Sequence, residues 1–449
     1  MSYWCSTVLI DGVAVPSVRI EFGSDGRITA IQRAAAPADE DVRLGTVVPG
    51  MGNAHSHAFH RVLRGRTHSD GGDFWRWRES MYRAASVLDP TRYLALARAV
   101  FAEMLVSGWT AVGEFHYLHH QPDGTPWAEP HAMEFAISRA AAEVGIRLVL
   151  LDTLYLAGGI GQKLAPDQRA FGDGTAAAWL DRWHSLREAI GDRTTLGAAI
   201  HSVRAVPPDD VRLAVLGLPD DVPLHVHVSE QPQENRDSLA AYGRTPIGVL
   251  ADAGALSPRT SLVHATHLTA EDRAIVAASG ANVVFCPTTE ADLGDGIGPA
   301  RALADAGTPI ALGSDQNAVI DPFLEMRGLE AGERLASGSR GRFDPARLLV
   351  AASTAGYVSL GLGDHRLEVG DPCDLVEVSA TSLRTVGSEP GQLPMTATAS
   401  DVERVIVGGR VAADRGRLVP AEGITFSRRP ENLLAALTEL FSNGGGSVD

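Results

Sequence analysis

Between Val47 and about Gly361 the sequence alternates eight short apolar runs with stretches of helical periodicity. The runs are TVVPG, WTAVGEF, IRLVLLDTL, LGAAI, VPLHVHV, SLVHA, NVVFC and PIALGSD. Near-continuous apolar character marks strands buried on both faces, and the stretches between most of them are long enough for the crossover helices of a parallel sheet. One such helix carries its own punctuation, with Asp89 and Pro90 at its start and Gly108 just past its end, which predicts a helix from Asp89 to Ser107. Eight units of this kind predict a closed (β/α)8 barrel of the TIM type, and 449 residues leave room for that barrel and a smaller satellite.

The flanks supply the satellite. Residues 1 to about 45 read as strands and turns, with SDG as a hairpin turn inside VRIEFGSDGRITAIQ, and the pattern returns in CDLVEVSA and VERVIVGGRVAADRGRL. The expected division is a small β-sandwich-like domain from residues 1–47 and 362–425, the barrel over 48–361, and a C-terminal helix and tail over 426–449.

Charge and cysteine usage exclude several classes. A formal charge of −16 argues against binding nucleic acid or an acidic membrane through the bulk surface, so an anionic ligand needs a local basic pocket. Cys5, Cys286 and Cys373 are too few, and odd in number, for a disulfide framework, which fits a reducing cytoplasm. The start MSYWCSTVLIDGVAV lacks the basic residues and long apolar core of a secretion signal, and no run of about 18 apolar residues occurs, so a cytoplasmic protein is expected.

In a (β/α)8 barrel the active site lies at the C-terminal ends of the strands. Those ends are unusually polar here. His55 and His57 follow the first run, Glu114 and His116 the second, Asp152 the third and His201 the fourth. His227 and Glu230 follow the fifth, His264 the sixth, Cys286 the seventh and Asp315 the eighth. Fifteen histidines in this length predict about 0.5 His-x-His pairs by chance, against the two found, His55/His57 and His225/His227. Residues i and i+2 of an extended segment point the same way, so His55 and His57 can reach one ion together. His227 lies nearer the strand end than His225 and is the better ligand. Three imidazoles with the carboxylate of Asp315 suit zinc or ferrous iron, whereas magnesium prefers oxygen.

These residues resemble the amidohydrolase superfamily over nearly the whole chain. PGMGNAHSH is similar to its first metal motif, His227 to Glu230 (HVSE) to the His-x-x-Glu element of its mononuclear deaminase branch, and Gly313 to Asp315 (GSD) to its eighth-strand aspartate motif. LGAAIHS has no lysine that could bridge two ions, so the resemblance implies a single metal. FWRWRESMYR, EFHYLHH, HSVRAV, LVHATHL and CPTTEADLGDGI resemble the deiminases of that branch that hydrolyse N-formimino-L-glutamate to N-formyl-L-glutamate and ammonia in histidine breakdown.

The resemblance implies site roles. Asp315 serves as ligand and as base, Glu230 carries a proton to the departing nitrogen, and His264 steadies the attacked centre. His201, Arg204 and Tyr117 lie near the substrate, with Arg204 and Arg78 as the cations for a dicarboxylate. Arg78 belongs to an aromatic segment, 74–83, expected as a lid or subunit contact. His60 stands where the family carries glutamine. A homodimer is expected, since barrels of this family are often dimers. Formimino-aspartate, guanine, cytosine or a triazine are alternative substrates, and a non-catalytic scaffold is the reading of a different class.

Overall fold

The structure is a computed structural model that describes residues 1–67 and 74–428. Four strands open the chain, β1 (Ser2–Ile10), β2 (Val13–Phe22), β3 (Ile28–Gln32) and β4 (Val42–Pro49). The barrel follows as β5 (Met51–Ser56), β6 (Trp109–His116), β7 (Arg147–Leu154), β8 (Thr194–Ile200), β9 (Leu224–Val228), β10 (Thr260–His264), β11 (Asn282–Phe285) and β12 (Ile310–Leu312). Four more strands return to the first sheet, β13 (Leu375–Val378), β14 (Val402–Val407), β15 (Arg410–Asp414) and β16 (Arg417–Leu418).

Strands β5 to β12 pair in chain order, each parallel to the next. The seam closes by a parallel bridge between Ser56 and Asp315, where His55 O accepts from the backbone N–H groups of Ser314 at 3.0 Å and Asp315 at 2.9 Å. The chain is therefore a (β/α)8 barrel. Part of its interior is filled by small and branched side chains, among them Ala54, Val263, Val284, Cys286 and Ala311. The other sheet runs β16-β15-β14-β13-β4-β1-β2-β3, so both flanks build it together, joined where β13 pairs antiparallel with β4. Of the expected C-terminal helix and tail, residues 429–449 lie outside the described residues. Among the described residues no helix is long and apolar enough to cross a membrane.

The helix read from its punctuation spans Pro90–Ser107, with the Asp89 side chain accepting from Arg92 N and Gly108 at φ 110° closing the end. The run TVVPG falls elsewhere than expected. It lies in β4 of the sheet built from both flanks, and the first barrel strand starts only at Met51. Gly50 is the break: its N–H bonds Asp374 O at 2.8 Å, and a Cβ there would meet Asp374 Cβ and Thr110 Oγ1 at 2.7 Å. One apolar stretch thus feeds two sheets.

Asp374 is a hub between these sheets. Its buried carboxylate accepts from Arg147 Nε and Nη2 at 2.5 and 2.9 Å, from Tyr357 Oη at 2.7 Å and from Gly408 N at 2.6 Å. Removing one partner of such a pair strands the others. Asp374→Ala is expected to cost about 2–4 kcal/mol in denaturant unfolding, below the usual loss for a wholly buried pair because Arg147 stays about one third exposed. A loss under about 0.5 kcal/mol, the range of an ordinary surface change, would contradict this role.

Candidate active site and metal centre

Closure of the seam sets the centre of the site. His55 sits in β5 and His57 just past it, while the left-handed backbone of Asp315, at φ 42°, turns its carboxylate toward both. Asp315 Oδ1 lies 3.4 Å from His55 Nε2 and 3.5 Å from His57 Nε2. His227, the penultimate residue of β9, brings its Nε2 to 3.1 Å from His55 Nε2 and 3.3 Å from His57 Nε2. Strained backbone recurs at this rim, with Ser229 at φ 50° and His264 at φ 71° beside Asp315.

The donor chemistry fits a cation. His57 Nδ1 bonds Phe115 O at 2.8 Å and His227 Nδ1 bonds His201 O at 3.0 Å. A carbonyl only accepts, so each Nδ1 carries the proton and each Nε2 turns a bare lone pair inward. Lone pairs 3.3 Å apart repel. Burial makes protonation a costly remedy, pushing His57 down to about 3 and holding His55 and His227 well below the usual imidazole range. A shared divalent ion resolves the conflict, and separations of 3.1–3.5 Å suit a tetrahedral site with metal–nitrogen bonds of about 2.0–2.1 Å. His264 and His60 lie close enough to join alternative three-residue groups with Asp315.

Around this cluster lies a cavity that collects the remaining expected residues, His60, Arg78, Tyr117, His201, Arg204, Glu230 and His264. His60 Nε2 meets Tyr117 Oη at 2.9 Å. Arg204 Nη2 donates to Glu230 Oε2 at 2.9 Å, and His264 Nε2 lies 3.7 Å from Glu230 Oε1. Burial alone would lower His264, but the carboxylates of Glu230, Asp315 and Glu290 outweigh it and push it up to about 10.

Two residues important to the cavity were missed from sequence. Tyr82 and Tyr155 accept from Arg78, through Nε and, at 3.3 Å, through Nη2, and both tyrosines accept from Gln168 Nε2 at 2.8 and 3.1 Å. Tyr155 directly follows β7, so the rule of strand ends could have found it. Tyr82 shares a helical face with Arg78, four positions back, in Phe74–Ala85.

Other polar strand ends do not reach the centre. Glu114 is buried behind the first ligands, where it accepts from Ala58 N at 2.6 Å. His225 lies deeper in the barrel and bonds Ser359 O at 2.8 Å. Cys286 is buried among the interior side chains. His116 and Asp152 join a separate network with His119, Glu134, Asp173 and Arg182. His116, His119 and Glu134 are spaced as metal ligands, yet Arg182 already contacts Glu134 at 3.2 Å, and His119 meets oxygens through both ring nitrogens. That pattern makes His119 a double donor and leaves no lone pair to ligate an ion.

The network predicts acid sensitivity. Burial alone would raise the Glu134 carboxyl, but His116, His119 and Arg182 hold it well below the usual range. A depressed folded-state pKa adds stability that is fully present above the unfolded value of about 4.3 and is lost as pH falls toward the folded one. The melting-temperature gap between the protein and Glu134→Gln should therefore narrow from pH 6 to pH 3. A gap independent of pH would remove this carboxylate from the account.

The fold has known counterparts. The amidohydrolase family model matches residues 46–412, and the chain belongs to that family. A formimidoylglutamate deiminase of Pseudomonas aeruginosa is 38% identical over 419 residues, covering 89% of this chain and 92% of that protein. The crystal structure of an amidohydrolase from Brucella melitensis superposes with a TM-score of 0.90 at 31% identity, covering 98% of this chain and 99% of that one. An adenosine deaminase from Xanthomonas campestris with bound zinc shares the fold, with a TM-score of 0.79 at 24% identity and 98% coverage of both chains.

Proposed function

We propose that this chain is a deiminase that hydrolyses N-formimino-L-glutamate to N-formyl-L-glutamate and ammonia, with one zinc ion held by His55, His57, His227 and Asp315. The observation that carries this reading is a single cavity joining that donor cluster to Arg78 and Arg204, within a protein of net charge −16. The likeness to the Pseudomonas aeruginosa deiminase supports it. A homodimer is the assembly the family resemblance implies, and light scattering on the purified protein tests it. The division into a barrel and a β domain from both flanks belongs to the same reading, with the barrel's expected start at residue 48 moved to Met51, where β5 begins.

When bound, a divalent ion acidifies a coordinated water to near neutral pH and polarises the group to be attacked. The chain supplies the rest. Asp315 Oδ2, 3.9 Å from His264 Nε2, is a carboxylate oxygen available to take a proton. Glu230 carries a proton to the departing nitrogen, and His264, between Glu230 and Asp315, donates a hydrogen bond toward the charge that develops on the substrate. Arg204 and Arg78 neutralise the substrate carboxylates, with Tyr82, Tyr155 and Gln168 fixing Arg78.

Ammonia release from formimino-glutamate, formimino-aspartate, guanine and cytosine decides the substrate. Formimino-glutamate should be fastest, because a fixed span from metal to guanidinium suits one chain length. Arg204→Met should lower kcat/KM by the equivalent of about 2–5 kcal/mol, the loss expected when one partner of a buried charge pair is removed. Ammonia from guanine or cytosine, with none from either formimino acid, would overturn the assignment.

A further inference from the structure

Arg204 is placed for a substrate carboxylate, yet its guanidinium is already held by the side chain assigned to proton transfer. Nη2 donates to Glu230 Oε2 at 2.9 Å, while Nε lies 3.4 Å from Ser202 Oγ and 3.8 Å from Glu234 Oε2. The two glutamates differ in how they are anchored. Glu234 Oε2 accepts from the backbone N–H of Glu230 at 3.2 Å, a bond that fixes it independently of any ligand. Glu230 meets its neighbours through its carboxylate end, with Arg204 at 2.9 Å on one oxygen and His264 at 3.7 Å from the other. Arg204 and Arg78 line both the cavity around the donor cluster and an adjoining outer cleft with Gly158, Gly159 and Gln162, so both guanidiniums face the two spaces.

Resting on the deiminase reading above, we infer that Arg204 exchanges partners, holding the Glu230 carboxylate when no anion is bound and the carboxylate of the substrate when one is. Glu234 keeps the guanidinium in place through the exchange. A carboxylate oxygen engaged by a guanidinium is not free to turn toward the departing nitrogen. Release of Glu230 by an arriving carboxylate therefore couples recognition of the anionic tail to proton transfer at the other end. An amidine that carries no carboxylate leaves Glu230 engaged, which makes the ion pair a specificity device as well as a resting contact.

Calorimetry with glutarate, an unreactive dicarboxylate, on the zinc-loaded protein tests the exchange. Glu230→Gln replaces the charged competitor for Arg204 with a weaker, neutral acceptor and should tighten glutarate binding about tenfold, while the same substitution in an Arg204→Met background should change affinity less than about twofold. Unchanged or weaker binding to Glu230→Gln, or an equal gain in both backgrounds, overturns the proposal. A second arm needs no variant. With formamidine as substrate, added propionate should raise turnover of the unaltered protein several-fold, and a flat response counts against the exchange. Formimino-glutamate turnover, measured alongside, separates the two ideas. Turnover without the glutarate effect sinks the exchange alone, and the glutarate effect without turnover sinks the substrate assignment alone.

Discussion

Replacing His227 with alanine is expected to abolish both bound metal and ammonia release while the barrel stays folded. Its Nε2 is the nitrogen that lies 3.1 Å from His55 and 3.3 Å from His57, so its loss opens the tightest part of the donor cluster. Two imidazoles and one carboxylate remain, too few for a closed four-coordinate site. The structural cost is modest. His201 O loses one hydrogen bond from His227 Nδ1, worth about 1–3 kcal/mol if nothing replaces it, and the change sits at the strand ends rather than in the packed interior. Elemental analysis and circular dichroism on one sample check both halves. Full metal occupancy with near-normal turnover would sink the ligand assignment, and loss of the native spectrum would mean that the site and the core are not separable.

Glu230→Gln should lower turnover without disturbing the metal or the fold. The amide keeps the shape of the side chain but cannot pass a proton, so kcat should fall about 10²- to 10⁴-fold with metal content unchanged. Glutamine can still accept from Arg204 through its carbonyl oxygen, which makes a folding defect an implausible cause of such a loss. Normal turnover in a metal-replete variant would move the proton shuttle elsewhere, with His264 the next group to test.

Much of this site was legible from the sequence because barrel geometry converts linear position into spatial position. Each apolar run ends on the same face, so His55, His57, His227, Glu230, His264 and Asp315 could be brought together without contact information. Period-two spacing paired His55 with His57, and depth along β9 separated His227 from His225. What failed was local punctuation. TVVPG and MGNAHS form one apolar stretch, and only the close approach of Asp374 and Thr110 to Gly50 shows where one sheet hands over to the other. Contacts between distant segments were equally hidden. The ion pair of Arg182 with Asp152 joins side chains 30 positions apart, and Gln168 reaches 86 positions back to Tyr82. Nothing in spacing or composition announces such pairings, since each depends on loop conformation after the strands.

The seam of the barrel has a consequence for how the protein matures. His57 O accepts from Asn317 Nδ2 at 3.0 Å across 260 positions of sequence, beside the Ser56–Asp315 bridge and the proposed ligands His55, His57 and Asp315. The metal centre therefore does not exist until the last barrel strand has docked against the first, and an unfinished chain on the ribosome has nothing complete to offer a metal. On the proposed ligand set, ion capture follows closure of the barrel, and a bound ion would act as a rivet between segments about 260 positions apart. Stripping it should loosen the seam first, so amide exchange in β5 and β12 should quicken before the rest of the barrel responds.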